Sequence, residues 1–219
     1  LQTYTRLERP DLAAQALFEL GDLLARNSDE NVDSLDRAGE LYHRALSSAE
    51  QAGDRDLSLR IRSALATLHV RRADLASTNG DKLQELNAAD TLLTDLRLDA
   101  LTCCADLRLV ADLLHQHAQV QARKGAFTEA TETVARSVSR YTWLGDAAAQ
   151  ANALIDFGRF AMAAGDSISA QDALHEAFDL GTQFEMPKVQ AAAAGVLVRV
   201  HQIRAVSYTH LRAHETKAN

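Results

Sequence analysis

The sequence predicts an all-α fold in which antiparallel helix hairpins stack into an α-solenoid of about nine helices. Three observations lead to this fold class. Apolar residues recur at helical spacing, the alternation of β-branched residues that marks strands is absent, and the helical patterns repeat along the chain. The repeat measures 40 residues between Gly125 and Gly165 and again between Ala130 and Ala170. Such an array buries apolar surface between neighbouring hairpins and needs no single central core.

The clearest hairpin lies within residues 152–178, where two amphipathic helical patterns meet at Gly165 and Asp166. Each helix has apolar or small residues on one face, at Leu154, Phe157, Gly158 and Ala161 in the first and at Ala170, Leu174, Ala177 and Phe178 in the second. The short side chains among these residues allow two helices to approach closely. Gly165 suits the left-handed conformation that ends a helix, and Asp166 or Ser167 can cap the next helix through a side-chain oxygen.

Turn residues delimit the remaining elements. Pro10 suits the first turn of a helix. Polar or glycine-containing stretches mark turns at residues 27–34, 53–54, 79–81, 124–125, 145–146 and 185–187. These signals predict helices over residues 11–26, 34–51, 56–77, 81–96, 99–123 and 127–144, then the two helices of the clearest hairpin, and a last helix from 188 to about 204. The last helix has no partner for a hairpin.

The order of small and large residues in these hairpins resembles the tetratricopeptide repeat (TPR). The same order occurs at Leu17, Leu20, Gly21 and Leu24 followed by Ala38, Tyr42 and Ala45, and again at Leu114, Ala118, Ala130, Val134 and Ser137. The repeat positions that the resemblance assigns to close contacts or turns are Gly21, Ala38, Ala45, Ala118, Ala130, Gly158, Gly165, Ala170 and Ala177. The period of 40 residues exceeds the roughly 34 of the standard repeat, which indicates longer helices. The resemblance covers residues 10–205 and implies a right-handed superhelical solenoid.

Composition and charge argue against several classes of protein. With 47% hydrophobic residues and only two prolines among 219 residues, the chain resembles a globular helical protein rather than a disordered one. A net charge of -7 argues against general binding of nucleic acid or anionic membranes, which needs a basic face. The sequence has no apolar run of about 18 residues and no signal-peptide pattern, so we expect a cytoplasmic location.

The residue types that carry chemistry in enzymes form no recognisable site. Cys103 and Cys104 are adjacent and point about 100° apart on a helix, so we expect two buried small residues rather than a disulfide or a metal site. His115 and His117 lie about 200° apart, and we interpret His117 as a structural histidine. Phosphate-binding loops, nucleophile elbows and zinc motifs are absent from the sequence. We therefore predict a non-catalytic protein without a cofactor or metal ion.

The two ends of the chain carry separate expectations. The chain begins at Leu1 rather than at methionine, which indicates an internal fragment whose residues 1–9 are a linker or the end of a preceding helix. Residues 206–216 match the translation of a transposon-type sequencing adapter, so we interpret residues 206–219 as a tail that is not native. For this reason His210 and His214 are not interpreted as a metal site.

The resemblance to TPR proteins also implies a binding surface. In TPR arrays the first helix of each hairpin lines the concave groove in which partner peptides lie. The matching positions are Asp112, His115, Gln119, Arg123, Asn152, Ile155, Arg159 and Met162, with Gln15, Phe18, Asp22, Arg71 and Arg72 as further candidates. Their amide and positively charged groups suit an acidic peptide or a terminal carboxylate. The lysine and asparagine clamp with which the family holds carboxylates is not reproduced here.

Three functions are compatible with the sequence. The first is a protein-interaction scaffold that binds a peptide or protein partner in the groove, and the repeats favour it. The second is a ligand- or partner-sensing segment of a multidomain bacterial regulator, which the excess of arginine over lysine and the missing chain ends favour. The third is an all-helical enzyme, which would need a polar cavity that no motif indicates. We expect the scaffold, in contact with neither nucleic acid nor membrane.

Overall fold

The computed structural model describes residues 9–27, 32–102 and 106–215 of the chain. Within these ranges the secondary structure consists of nine α-helices and no strand, which confirms the predicted all-α fold. In chain order the helices are α1 (Pro10–Asn27), α2 (Val32–Ala52), α3 (Arg55–Leu75), α4 (Asn79–Thr102), α5 (Leu107–Arg123), α6 (Phe127–Leu144), α7 (Ala147–Ala163), α8 (Ser167–Gln183) and α9 (Pro187–Glu215).

The junction of α4 and α5 differs from the predicted helices. The sequence predicts one helix over residues 99–123, but the first four of these positions belong to α4, and α5 begins only at Leu107. α4 continues because its apolar stripe stays buried as far as Ala100. α5 begins at Leu107 because the carboxylate of Asp106 accepts a hydrogen bond from the backbone N–H of Arg108 at 3.0 Å.

The start of α4 also differs from the prediction. The sequence assigns Asn79 and Gly80 to the turn before the helix, whereas both belong to its first turn. The hydroxyl oxygen of Thr78 accepts a hydrogen bond from the backbone N–H of Asp81 at 3.1 Å. This bond caps the helix and moves its start upstream.

The last helix is longer than the sequence predicts. α9 ends at Glu215 rather than near residue 204. The interpretation of residues 206–219 as an adapter-derived tail stays a prediction, as does the interpretation of residues 1–9 as a linker. The prediction of buried side chains for Cys103 and Cys104 falls outside the described residues.

The chain divides into two compact units, Leu1–Val120 and Gln121–Asn219, each with its own buried core. In the first unit, one core cluster joins α1, α2 and α3, and a second joins α3, α4 and α5. α3 belongs to both clusters, because Ile61 and Leu68 lie in the first and Leu59 lies in the second. In the second unit one cluster joins α7, α8 and α9. Within each unit the helices thus bury their apolar faces against successive neighbours, as stacked hairpins require.

In each unit a glycine of one helix lies against a large side chain of the next. A Cβ atom on Gly21 of α1 would lie 2.7 Å from Cε1 of Tyr42 in α2, and one on Gly158 of α7 would lie 2.6 Å from Cγ of Leu174 in α8. The alanines at the other close-contact positions have no exposed surface, at Ala38, Ala45, Ala118, Ala130, Ala170 and Ala177. Both helix pairs therefore approach more closely than a side chain at the glycine would permit.

The turns of the second unit have a shorter period than the one read from the sequence. Gly125, Gly145, Gly165 and Glu185 have φ angles of 84°, 68°, 91° and 53°, so the left-handed conformation recurs every 20 residues. After each of these residues, the next backbone N–H donates to the carbonyl five positions earlier at 2.8–3.0 Å. The repeating element is therefore one helix with its turn, and the 40-residue period spans two such elements.

Glu185 differs from the other members of this series because it adopts the left-handed conformation without being glycine. This conformation costs an L-residue about 1–2 kcal/mol, and the greater freedom of glycine in the unfolded chain offsets part of that cost. We expect Glu185→Gly to raise the free energy of unfolding by about 0.5–1 kcal/mol in urea denaturation followed by circular dichroism. Gly165→Ala, the opposite kind of change at an equivalent turn, should lower it. An unchanged denaturation midpoint for Glu185→Gly would contradict this turn geometry.

Candidate functional site

The odd-numbered helices lie side by side within each unit. In the first unit the guanidinium of Arg71 in α3 donates to the carbonyl of Ala25 in α1. The hydroxyl of Ser63, also in α3, donates to the side chain of Gln116 in α5 at 3.0 Å. In the second unit α7 packs against α9. The surface that the sequence assigns to partner binding is thus built from adjacent helices in each unit.

A cleft of about 200 Å³ opens between α1 and α3 in the first unit, and we call it the α1–α3 cleft. Its lining consists of Asp22, Ala25, Arg26, Tyr42, Ala64, Thr67, Leu68 and Arg71. Asp22 and Arg71 are among the groove candidates from the sequence, and the fold brings them to one site. The sequence assigns Tyr42 to packing alone and so misses its hydroxyl group. The pairing of Tyr42 with Gly21 could have indicated this hydroxyl group, because it places the Tyr42 ring between two helices.

Hydrogen bonds fix the polar groups of the α1–α3 cleft. The Tyr42 hydroxyl donates to the Asp22 carboxylate at 2.7 Å, and Asp22 lies 3.6 Å from the guanidinium of Arg26. Burial, and then the hydrogen bond to Asp22, raise the pKa of the Tyr42 hydroxyl above its usual value. The Arg26 side chain is 82% exposed, so its guanidinium keeps N–H donors for a ligand. The cleft thus holds fixed polar groups beside an accessible cation.

The predicted groove residues of α5 take part in local hydrogen bonds. Nε of Arg108 donates to the Asp112 carboxylate at 3.2 Å, and the amide nitrogen of Gln119 lies 3.4 Å from Nε2 of His115. Asp112, His115 and Gln119 are half-buried, and their spacing places them on one face of α5. Arg123 is exposed and belongs to the second unit.

His117 lies in the packing between helices, where the sequence interpretation places it. It is 6% exposed, and its Nε2 lies 2.9 Å from the carboxylate of Asp90 in α4. His69 of α3 makes a similar contact, with Nδ1 2.6 Å from the carboxylate of Glu85. Both histidines tie α4 to a neighbouring helix of the first unit.

The predicted groove residues of α7 differ in exposure. Asn152 and Arg159 are exposed, and Met162 is half-buried. The side-chain amide of Asn152 donates to the carbonyl of Ala148 at 3.0 Å, and Arg159 donates to the carboxylate of Asp156 at 3.1 Å. Both exposed side chains are thus held by their own helix and face solvent.

The assignment of Ile155 to the groove is wrong. Ile155 is 4% exposed and belongs to the core cluster that includes Val189, Ala193 and Val196 of α9. The sequence leaves α9 without a partner and so provides no neighbour that would cover this position. Because α9 packs beside α7, Ile155 is a core residue.

A larger cleft, of about 310 Å³, lies in the second unit between α6 and α8, and we call it the α6–α8 cleft. Its apolar lining consists of Ala135, Val138, Leu154, Phe157 and Ala173, and its polar lining consists of Ser169, Asp172 and Glu176. The sequence prediction misses this cleft because it assigns Leu154 and Phe157 to the packing face of α7 and assigns partner binding to other residues of that helix.

Among the described residues, no group of three or more histidine, cysteine, aspartate or glutamate side chains is placed to hold a metal ion. No helix in the described part of the chain has both the length and the apolar character needed to cross a membrane.

Comparison with known proteins identifies the fold. No protein-family model and no curated protein sequence matches the chain. Among solved structures, a putative kinesin light chain with nearly identical TPR-like repeats from Podosopora anserina has a TM-score of 0.69 at 15% identity, over 92% of this chain and 91% of that one. The chain has a TPR-like helical-repeat fold.

Two further solved structures match this TPR-like chain over most of its length. BtubC from P. vanneervenii has a TM-score of 0.55 at 18% identity, over 92% of both chains. A thermophilic TPR protein from Thermus thermophilus has a TM-score of 0.51 at 14% identity, over 84% of this chain and 99% of that one. The resemblance to the TPR that the sequence indicates is therefore confirmed at the level of the fold.

Proposed function

We propose that this TPR-like chain is a non-catalytic protein-interaction scaffold that binds a peptide or protein partner on the surface of its odd-numbered helices. TPR-like folds generally mediate interactions between proteins through the surfaces of their stacked helices. The observation that most directly supports the proposal is the α1–α3 cleft, where arginine side chains lie beside Tyr42 and Asp22. The other proposed contacts are Asp112, His115, Gln119, Arg123, Asn152, Arg159 and Met162.

The chemistry of the α1–α3 cleft favours a partner with an acidic group. A carboxylate can accept two parallel hydrogen bonds from one guanidinium, and such charged pairs are stronger than neutral ones. Arg26 is largely exposed. Arg71 donates one N–H to the carbonyl of Ala25, and a guanidinium has five N–H groups, so Arg71 can also donate to a ligand. The charge of Asp22 is already engaged by the Tyr42 hydroxyl and by Arg26, which weakens its repulsion of an incoming carboxylate.

Selection from a displayed library of random twelve-residue peptides tests this proposal. We expect the enriched peptides to contain aspartate, glutamate or a free terminal carboxylate. In fluorescence anisotropy, Arg26→Glu should weaken their binding by about tenfold or more, which corresponds to about 1.4 kcal/mol. The matched control is Arg44→Glu in α2, which makes the same charge change at an exposed position outside the cleft and should leave the affinity unchanged.

Two results of this experiment would contradict the proposal. If no peptide is enriched over a selection on an unrelated protein of similar net charge, the scaffold role is wrong. If Arg26→Glu and Arg44→Glu bind the enriched peptides equally well, the partner does not bind at the α1–α3 cleft.

A further inference from the structure

The α6–α8 cleft combines an apolar base with an acidic edge. Leu154 and Phe157 of α7 and Val138 of α6 supply apolar surface, and the volume of about 310 Å³ is at the lower end of the range for ligand clefts. A cleft of this size can take up one or two large apolar side chains of a partner. The apolar surface alone would not distinguish one apolar partner from another, so selectivity must come from the edge.

The edge of this cleft is acidic because α8 carries three carboxylates and neither lysine nor arginine, and its one histidine is His175. The three carboxylates are those of Asp172, Glu176 and Asp179. Asp172 and Glu176 line the cleft and are four residues apart, so their carboxylates lie on the same side of the helix. Like charges at this spacing destabilise a helix, and a cation bound between them would remove that repulsion.

One of the two carboxylates is held in position by a buried amide. The side chain of Gln150 in α7 donates to Oε1 of Glu176 at 3.0 Å, and Gln150 is only 9% exposed. The bond fixes the Glu176 side chain beside the cleft at the place where α7 meets α8. A carboxylate has lone pairs for further bonds, so Glu176 can still accept hydrogen bonds from a ligand.

We propose that the α6–α8 cleft binds a segment of a partner protein in which a large apolar side chain lies within one helical turn of a lysine or arginine. The apolar side chain enters the cleft against Leu154 and Phe157, and the cation pairs with Asp172 and Glu176. The site lies between α6 and α8 with residues of α7 at its base, and it shares no lining residue with the α1–α3 cleft.

Charge favours a basic partner segment over a second copy of the chain as the occupant of this cleft. In a symmetric dimer the same surface patch faces itself, so a dimer through this cleft would bring two copies of the acidic α8 together. The net charge of -7 adds to that repulsion. A segment that carries its own cation offsets the charge of the edge instead.

A counter-selected peptide library tests the site. Random displayed twelve-residue peptides are first passed over the immobilised double variant Asp172→Lys/Glu176→Lys, and the unbound peptides are then selected on the unaltered chain. We expect the survivors to pair lysine or arginine with a large apolar residue. In fluorescence anisotropy they should bind the double variant at least tenfold more weakly, and raising the salt concentration should weaken their binding to the unaltered chain. Arg26→Glu should not affect them.

Two controls distinguish a loss of binding at the cleft from an effect of overall charge and from a loss of folding. Asp179→Lys/Glu185→Lys makes the same change of charge on exposed residues outside the cleft and should leave binding unchanged. Circular dichroism checks that each variant is folded. If the lysine variant does not fold, the neutral pair Asp172→Asn/Glu176→Gln replaces it and should still weaken binding at least fivefold.

Several outcomes would overturn the proposal. They are a selection without survivors, survivors that lack basic residues, and an equal loss of affinity in the control variant. Sedimentation that shows a dimer of the unaltered chain, converted to monomer by Asp172→Lys/Glu176→Lys, would assign the cleft to self-association instead. None of these outcomes involves Arg26. The proposed function of the odd-numbered helices is tested separately by Arg26→Glu, so either proposal can fail without the other.

Discussion

Replacing Gly158 with alanine is expected to lower the free energy of unfolding by about 1–3 kcal/mol, and replacing it with leucine should cost more. The new Cβ atom would lie 2.6 Å from Cγ, 2.9 Å from Cδ2 and 3.0 Å from Cδ1 of Leu174. Leu174 has no exposed surface, so its branch point cannot move away without shifting α8. The loss should be visible in urea denaturation followed by circular dichroism.

Gly195 provides a matched control for this substitution. It also lies within a helix, but a Cβ atom added there would meet nothing within 4 Å. Gly195→Ala is therefore expected to raise the free energy of unfolding by about 0.5–1 kcal/mol, because alanine favours the helix more than glycine does. A similar loss at both positions would show that the close approach of α7 and α8 does not limit stability.

A double substitution tests the contact itself. Leu174→Ala alone should cost about 2–5 kcal/mol, since it leaves a cavity in the core. In Gly158→Ala/Leu174→Ala the added methyl group no longer meets the leucine branch point, so the combined loss should be smaller than the sum of the two single losses. Additive losses would mean that Gly158 and Leu174 do not contact each other.

The stacked-helix fold could be predicted from the sequence because it depends on local spacing. The pairs Gly21 with Tyr42 and Gly158 with Leu174 are small and large residues at matching places in two hairpins, and the fold puts each pair in direct contact. Glycines also mark the turns at residues 125, 145 and 165, where the backbone adopts the left-handed conformation. Such signals lie within one hairpin, so neighbouring hairpins do not alter them.

The parts that the sequence did not predict depend on contacts between distant helices. The position of Ile155 within its hairpin assigns it to the binding groove. The packing of α9 beside α7 covers this position and makes Ile155 a core residue. The α6–α8 cleft is formed by side chains of three helices, α6, α7 and α8. The spacing of residues along a single helix does not predict such a cleft. The proposed binding residues of α5 and α7 stay predictions. The fold gives the exposure of these side chains, but it does not identify a partner that contacts them.

Above pH 10 the stability of the protein is expected to fall, and Tyr42 should account for part of the fall. The Tyr42 hydroxyl is buried and donates to Asp22 at 2.7 Å, and both effects raise its pKa in the folded state. In the unfolded chain a tyrosine loses its proton near pH 10. Between these two pKa values only the folded state keeps the proton. The free energy of unfolding therefore decreases there by up to about 1.4 kcal/mol per pH unit.

Tyr42→Phe isolates this contribution because it keeps the ring that packs against Phe18 and removes only the hydroxyl. At pH 8 the variant should be less stable by about 1 kcal/mol, the usual net contribution of one hydrogen bond. The contribution is fully present below pH 10 and is lost as the pH rises, so the two proteins should become equally stable near pH 11. Urea denaturation at pH 8, 10 and 11 measures the difference. A constant difference across this range would show that Tyr42 ionises as readily in the folded protein as in the unfolded chain, and that its bond to Asp22 does not hold the proton.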